Sequence, residues 1–293
     1  MRVSNQQMAN RLLSQLALTQ RRLLGAQERV ATGRRIERPS DDPIGAARVM
    51  ATRTELDRSQ QYGRNISIAL GELAATESAL ARLADVLARV SELAVQAANA
   101  SVGGPERALI AEEVSVLITE AIDVGNASHA GHYIFAGQLT STAPYSPDNP
   151  TTPTVVTYQG DTGRIDREVA EASRLSINIT GNRMQPFAAL ITFRDNLLAN
   201  DATAIGNDSA ALEVQLDNAI ALRAEIGASM QRAEAAASRL LDEEARLRTQ
   251  LFEIEEVDLS QAIVELQMSE TAYQAALGIA GRMFNLSILD FLR

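Results

Sequence analysis

No proline interrupts the chain between Pro43 and Pro105. Through that stretch apolar or small residues recur in alternating steps of three and four, at Ile66, Ala69, Leu73, Thr76, Leu80, Leu83, Leu87, Val90, Ala94 and Ala97. One uninterrupted α-helix with a single seam satisfies this pattern. From Pro43 to about residue 99 it would be ~85 Å long at 1.5 Å per residue, far beyond the mean globular helix. The spacing therefore predicts a rod rather than a globule.

Composition agrees. Of 293 residues 48 are Ala, aromatics make up 4% and Trp is absent, so long helices packed closely along thin seams are expected instead of a wide core of large side chains. All 27 basic residues are Arg, and there is no Cys. Without Lys there is no Schiff-base chemistry and no phosphate-loop lysine; without Cys there are no disulfides, thiolate nucleophiles or Cys-ligated metals. No Gly-rich phosphate loop or nucleophile elbow is present, so the sequence implies no cofactor and no catalytic residues. The net charge of −10 argues against nucleic acid as a partner. No stretch approaches ~18 apolar residues, so no membrane insertion is expected. The opening residues carry no apolar run and no small-residue cleavage site, which argues against a Sec-type signal peptide.

The remaining elements read as further arms. A first helix is expected over 5–31, with Leu12, Leu16, Thr19, Leu23, Ala26 and Val30 on one seam and Gly33 at its end. Asp42 and Pro43 then restart the chain as N-cap and first helical residue. After a turn at 101–105 a third helix presents Ile110, Val114, Leu117, Ala121 and Val124. Four prolines punctuate 144–153, and strands are expected over 154–158 and 175–180. A short helix follows Pro186, a long one spans about 209–256, and a last one from Leu259 alternates through Ile263, Leu266, Glu270, Tyr273, Leu277, Ala280 and Phe284. The fold class is thus mainly α, a long antiparallel helical bundle or coiled coil with a small β-rich central element. The expected domains are a terminal coiled coil of 1–40 with 259–293, a long-helix rod of 41–140 with 186–258, and a β element at 141–185.

Charge is complementary between the ends: residues 1–40 carry eight Arg against two acids, and residues 241–293 carry ten acids against four Arg. Exposed ion pairs contribute only ~0–1 kcal/mol each, against ~1.5–3 kcal/mol for a buried apolar side chain, so leucines should hold the terminal pair and charge should set its register. Two arms of this size bury little by themselves, so their order is expected to depend on neighbours. His129 and His132 lack a third ligand in their local sequence, which makes a packing role the better reading than a metal. Ser40, Asp41 and Asp42 have no nearby His base and read as a helix start, and 253–258 reads as a hinge or solvated run.

The segment Thr32, Gly33, Arg34, Arg35, Ile36, followed by Pro39, Ser40, Asp41, Asp42, Pro43, Ile44, Gly45, closely resembles the N-terminal region of the flagellin family. The resemblance continues through Asn65 and Ile66, residues 93–99, residues 131–137 and residues 158–161, and closes with Ser287, Ile288, Leu289, Asp290, Phe291 and Leu292. Thr32, Gly33, Ser40, Asp41, Asp42 and Pro43 are its motif positions, and they lie closer to the hook–filament junction branch than to filament flagellin. The resemblance implies a structural subunit exported by the flagellar type III system and recovered outside the cell in the flagellum. Its partners would be copies of itself in a ring or helical layer, an adjacent hook-associated protein and flagellin, and an export chaperone. The implied assembly seam comprises Leu12, Leu16, Leu23, Val30, Leu259, Ile263, Leu266, Tyr273, Leu277, Phe284, Leu289, Phe291 and Leu292.

Overall fold

A computed structural model describes residues 2–291, with residues 2–6, 8, 9 and 283–291 described by their backbone alone. The chain is mainly α, 71% helical, as the periodicities require. Among the described residues it contains helices α1 (Arg2–Thr32), α2 (Pro43–Ala97), α3 (Gly104–Gly125), α4 (Phe187–Leu198), α5 (Ala202–Glu255) and α6 (Leu259–Phe291). Six short strands lie between α3 and α4: β1 (Ser128–His129), β2 (His132–Tyr133), β3 (Tyr145–Pro147), β4 (Val156–Tyr158), β5 (Asp166–Ala170) and β6 (Ser173–Ser176). The chain divides into two compact units, one of Met1–Arg58 with Glu244–Arg293 and one of Ser59–Glu243.

The larger unit is built on the proline-free helix. All ten residues of the α2 stripe, Ile66 through Ala97, are at most 1% exposed. Opposite them lie Ile110, Val114, Ile118 and Ala121 of α3, Leu190, Phe193 and Leu197 of α4, and Leu212, Leu222 and Ile226 of α5. Ile118, rather than Leu117, continues the α3 stripe; Leu117 is only half-buried. Ion pairs at the surface tie the helices in register, Arg89 of α2 to Glu113 of α3 at 2.8 Å and Arg223 of α5 to Glu77 of α2 at 2.7 Å.

Helix α5 begins at Ala202, ahead of the expected start near 209. Asp201 explains the difference: its Oδ1 accepts hydrogen bonds from the amides of Thr203 and Ala204, each at 3.0 Å, so the cap sits before the Gly206, Asn207, Asp208 run that reads as a break.

The strands form three two-stranded antiparallel hairpins, β1–β2, β3–β4 and β5–β6. The first turns on Ala130 and Gly131, both at positive φ (49° and 83°), the requirement of a two-residue type I′ turn. His129 and His132 face each other across it. The second hairpin is anchored to the helices by Tyr145. The Asn126 side chain, at the end of α3, both donates to the Tyr145 carbonyl and accepts from its amide, each at 2.9 Å. The Tyr145 ring packs edge-on to Phe187 with centroids 4.8 Å apart, and its hydroxyl lies 2.7 Å from the Gly181 carbonyl and 2.6 Å from that of Met184. Burial pushes this phenol's ionisation far up, so it remains a donor throughout the ordinary pH range. The alternating run that starts in β6 and continues beyond it keeps its apolar members inside: Leu175, Ile177 and Ile179 are 6%, 1% and 2% exposed.

A cavity at the centre of the α2 stripe should be costly. Leu87, with no exposed surface, should lose about 2–5 kcal/mol of stability on Leu87→Ala, read as a lowered midpoint in urea denaturation followed by circular dichroism.

Candidate functional site

The smaller unit gathers most of the residues expected to act. Gly33, at φ +70°, ends α1 in the left-handed conformation that a glycine accepts without strain. The chain then turns through 34–42 into α2, whose first turn is capped by Asp42: its Oδ1 accepts from the Gly45 amide at 2.9 Å. That bond, reinforced by the Arg35 guanidinium, holds the Asp42 carboxyl below its usual range. At the other crossing, between α5 and α6, Asp258 Oδ1 caps α6 by accepting from Ser260 at 2.8 Å and Gln261 at 3.2 Å.

These two connections are clasped together. Val257 donates to the Gly33 carbonyl at 3.0 Å and Arg35 donates from its amide to the Glu255 carbonyl at 2.7 Å, forming an antiparallel bridge between Arg34 and Glu256. Glu255, 9% exposed, sits at the centre. Its carboxylate receives Arg34 Nε at 2.9 Å and Arg53 Nη2 at 2.7 and 2.8 Å, while Arg35 Nη2 donates to the Ile254 carbonyl at 2.9 Å. A carboxylate this buried would be costly alone; two guanidiniums from different segments compensate it. Three residues far apart in sequence meet here, and no local motif could have announced them.

From the clasp, α1 and α6 run antiparallel and pack on each other, with Arg29 ion-paired to Glu265 at 3.0 Å. On α1 the inward positions are Leu12, Leu16, Thr19, Leu23, Ala26 and Val30; Ala26 is 1% exposed and the others are half-buried. On α6 they are Ala262, Leu266, Ser269, Tyr273, Ala276 and Ala280, again in steps of four and three. Of the expected seam residues, Leu12, Leu16, Leu23, Val30, Leu266 and Tyr273 are therefore brought together. Leu259, Ile263 and Leu277 are not; they stand at its flank, 53%, 45% and 45% exposed. The side chains of Phe284, Leu289, Phe291 and Leu292 lie outside the described residues.

Small residues turn inward because they let two helices approach closely. Leu259, Ile263 and Leu277 are left facing water, and more join them: Val264, Met268 and Ile279 on α6 are 54%, 68% and 54% exposed, and Leu13 and Leu24 on α1 are 54% and 55% exposed. A helix apolar on several sides belongs among neighbours on several sides. Of the motif positions, Thr32 is the last residue of α1, Pro43 the first of α2, and Gly33, Ser40, Asp41 and Asp42 lie in the connection between them, where Asp41 also accepts from the Arg38 amide at 2.9 Å.

Two family models match the chain, the bacterial flagellin N-terminal helical region over residues 3–140 and the C-terminal helical region over residues 210–292, together about three quarters of its length. The chain belongs to the bacterial flagellin family. It is 24% identical to flagellar hook-associated protein 3 of Escherichia coli over 99% of both chains, and 24% identical to that of Salmonella typhimurium over the whole of both. A flagellar filament core protein of Treponema maltophilum is 25% identical over 92% of this chain and 90% of its own. The crystal structure of Bacillus cereus FlgL aligns with a TM-score of 0.61 at 22% identity, covering 69% of this chain and 99% of that one. The Legionella pneumophila flagellar junction protein FlgL aligns at 0.60 and 14% identity, covering 70% and 100%. At these identities the structures establish a shared fold.

The clasp has a direct test. Glu255→Gln keeps the shape but removes the charge that two arginines share. It should weaken the smaller unit by about 1–3 kcal/mol, seen as faster limited proteolysis in the 33–42 and 254–258 connections; an unchanged cleavage rate would show that the clasp contributes nothing.

Proposed function

We propose that this chain is a structural subunit of the bacterial flagellum that joins hook to filament, and that it assembles through its terminal helices. The observation that carries this is the unequal burial of α6: Ala262 and Ala280 are 2% and 9% exposed while Leu259, Ile263 and Leu277 stand half out of water on the same helix. A monomer gains nothing from such a face, whereas a layer of subunits buries it. The end-to-end similarity to two hook-associated proteins supports the junction over the filament, since the filament relative matches less of both chains.

In this reading residues 1–40 with 259–293 form the inner, assembling domain, residues 41–140 with 186–258 the long-helix domain, and residues 141–185 a β element carried on it. The assembly seam includes both the residues between α1 and α6 and the flanking Leu259, Ile263 and Leu277. The neighbours are copies of the chain in a ring or helical layer, a hook-associated protein on one side and flagellin on the other. Before assembly an export chaperone covers the apolar α6, and the chain leaves the cell by the flagellar type III route with its N-terminal segment as the signal. The protein performs no catalysis and needs no cofactor. Tube formation is its activity, driven by the same apolar burial that folds it.

Leu277→Asp discriminates between folding and assembly, because a side chain 45% exposed tolerates a charge in the monomer. The variant should remain helical and be exported, yet fail to assemble: cells should carry bare hooks and release flagellin into the medium. Normal filaments on that strain would overturn the proposal.

A further inference from the structure

The run from Leu175 to Thr180 alternates, and only half of the alternation is absorbed by the core. Leu175, Ile177 and Ile179 point inward, so Ser176, Asn178 and Thr180 share the opposite face. That face forms one wall of a cleft of about 290 Å³ within the larger unit. The other wall is α5, where Glu225, Ser229 and Arg232 occupy one helical side at steps of four and three. Arg164, before β5, and Arg183, in the turn at Gly181–Arg183, close the ends.

Three guanidiniums thus converge on a single carboxylate. Arg183 takes Glu225 for itself, Nη1 to Oε1 at 3.1 Å and Nη2 to Oε2 at 2.7 Å. Arg164 and Arg232 make no ion pair among the described residues. Arg164 Nε only reaches the Ser176 hydroxyl, at 3.3 Å; Arg232 donates to the Ala228 carbonyl at 3.3 Å and to Ser229 Oγ at 3.0 Å. Arg183 chiefly, and Arg164 and Arg232 in addition, hold the Glu225 carboxyl below its usual range. The cleft therefore keeps two uncompensated positive charges in a chain whose net charge is −10, with hydroxyl and amide groups between them.

We propose that this cleft is a binding site for a tetrahedral oxyanion, phosphate or sulfate, free or carried as a small ester, held by Arg164 and Arg232 and oriented by the hydroxyl of Ser176. Planar guanidiniums match the edges of such an anion, and a cleft this size admits it with room for a small substituent. The site lies entirely in Ser59–Glu243 and is independent of the terminal helices.

The test is calorimetric titration of the full chain with inorganic phosphate, with sulfate and with a sugar phosphate, each at fixed ionic strength held by chloride. Saturable binding of one anion per chain is expected. Arg164→Gln and Arg232→Gln, both at the surface of the cleft, should each weaken it by about tenfold, and Glu225→Gln should strengthen it by removing the competing carboxylate. Circular dichroism of each variant confirms that it is folded. Tighter binding of the sugar phosphate than of phosphate identifies an ester as the ligand, and equal binding identifies the free anion; either supports the site. No saturable binding, binding unchanged in the double variant, or tighter binding of a poly-glutamate peptide than of any phosphate would overturn it.

Discussion

The seam between α1 and α6 buries one side of each helix and leaves comparably apolar surface on another. That imbalance governs the smaller unit. Two helices alone have only one shared face, whichever residues they put there. By turning Ala262, Ala276 and Ala280 inward, the pair gains close approach and modest burial, and it exposes Leu259, Ile263, Val264, Met268, Leu277 and Ile279. Covering the exposed half of each such side chain contributes on the order of 1 kcal/mol. Spread over both helices and many copies, this exceeds what surface ion pairs could supply. Assembly is then a continuation of folding.

The Glu255 clasp complements the seam. Hydrophobic contact is non-directional and would allow α1 and α6 to slide by a heptad; a buried carboxylate shared by Arg34 and Arg53 would not. Sliding would separate Arg29 from Glu265 as well. The complementary charges at the two ends of the sequence thus serve register, and the leucines serve strength. A separate logic holds the larger unit, where the fully buried α2 stripe meets three helices and needs no partner.

Legibility in the sequence followed the same division. The α2 stripe was readable residue by residue because a proline-free heptad over many turns admits one interpretation, and every member is buried. The cap at Asp42 and the glycine at 33 were readable because they act locally, whereas the cap at Asp258 lies in a run that reads only as a hinge or solvated stretch. On α6 the 3.5-residue period fits two registers, Leu259, Ile263, Leu266 and Leu277 or Ala262, Leu266, Ser269 and Ala276. Side-chain size favours the first, while helix approach distance, which the sequence does not display, selects the second for contact with α1. The start of α5 was hidden by Gly206, whose helix-breaking tendency the Asp201 cap overrides. Glu255 was invisible because its partners are some two hundred residues away, and the basic cleft because its walls come from separate elements.

Amide hydrogen exchange, measured on the dilute monomer and on the assembled protein, shows whether the order of the terminal helices depends on neighbouring subunits. Helices α1 and α6 should exchange quickly in the monomer and slowly in the assembly, with the α2 amides around Leu87 protected in both. Terminal helices equally protected in the free chain would contradict that dependence, since their outer apolar faces would then need no neighbours.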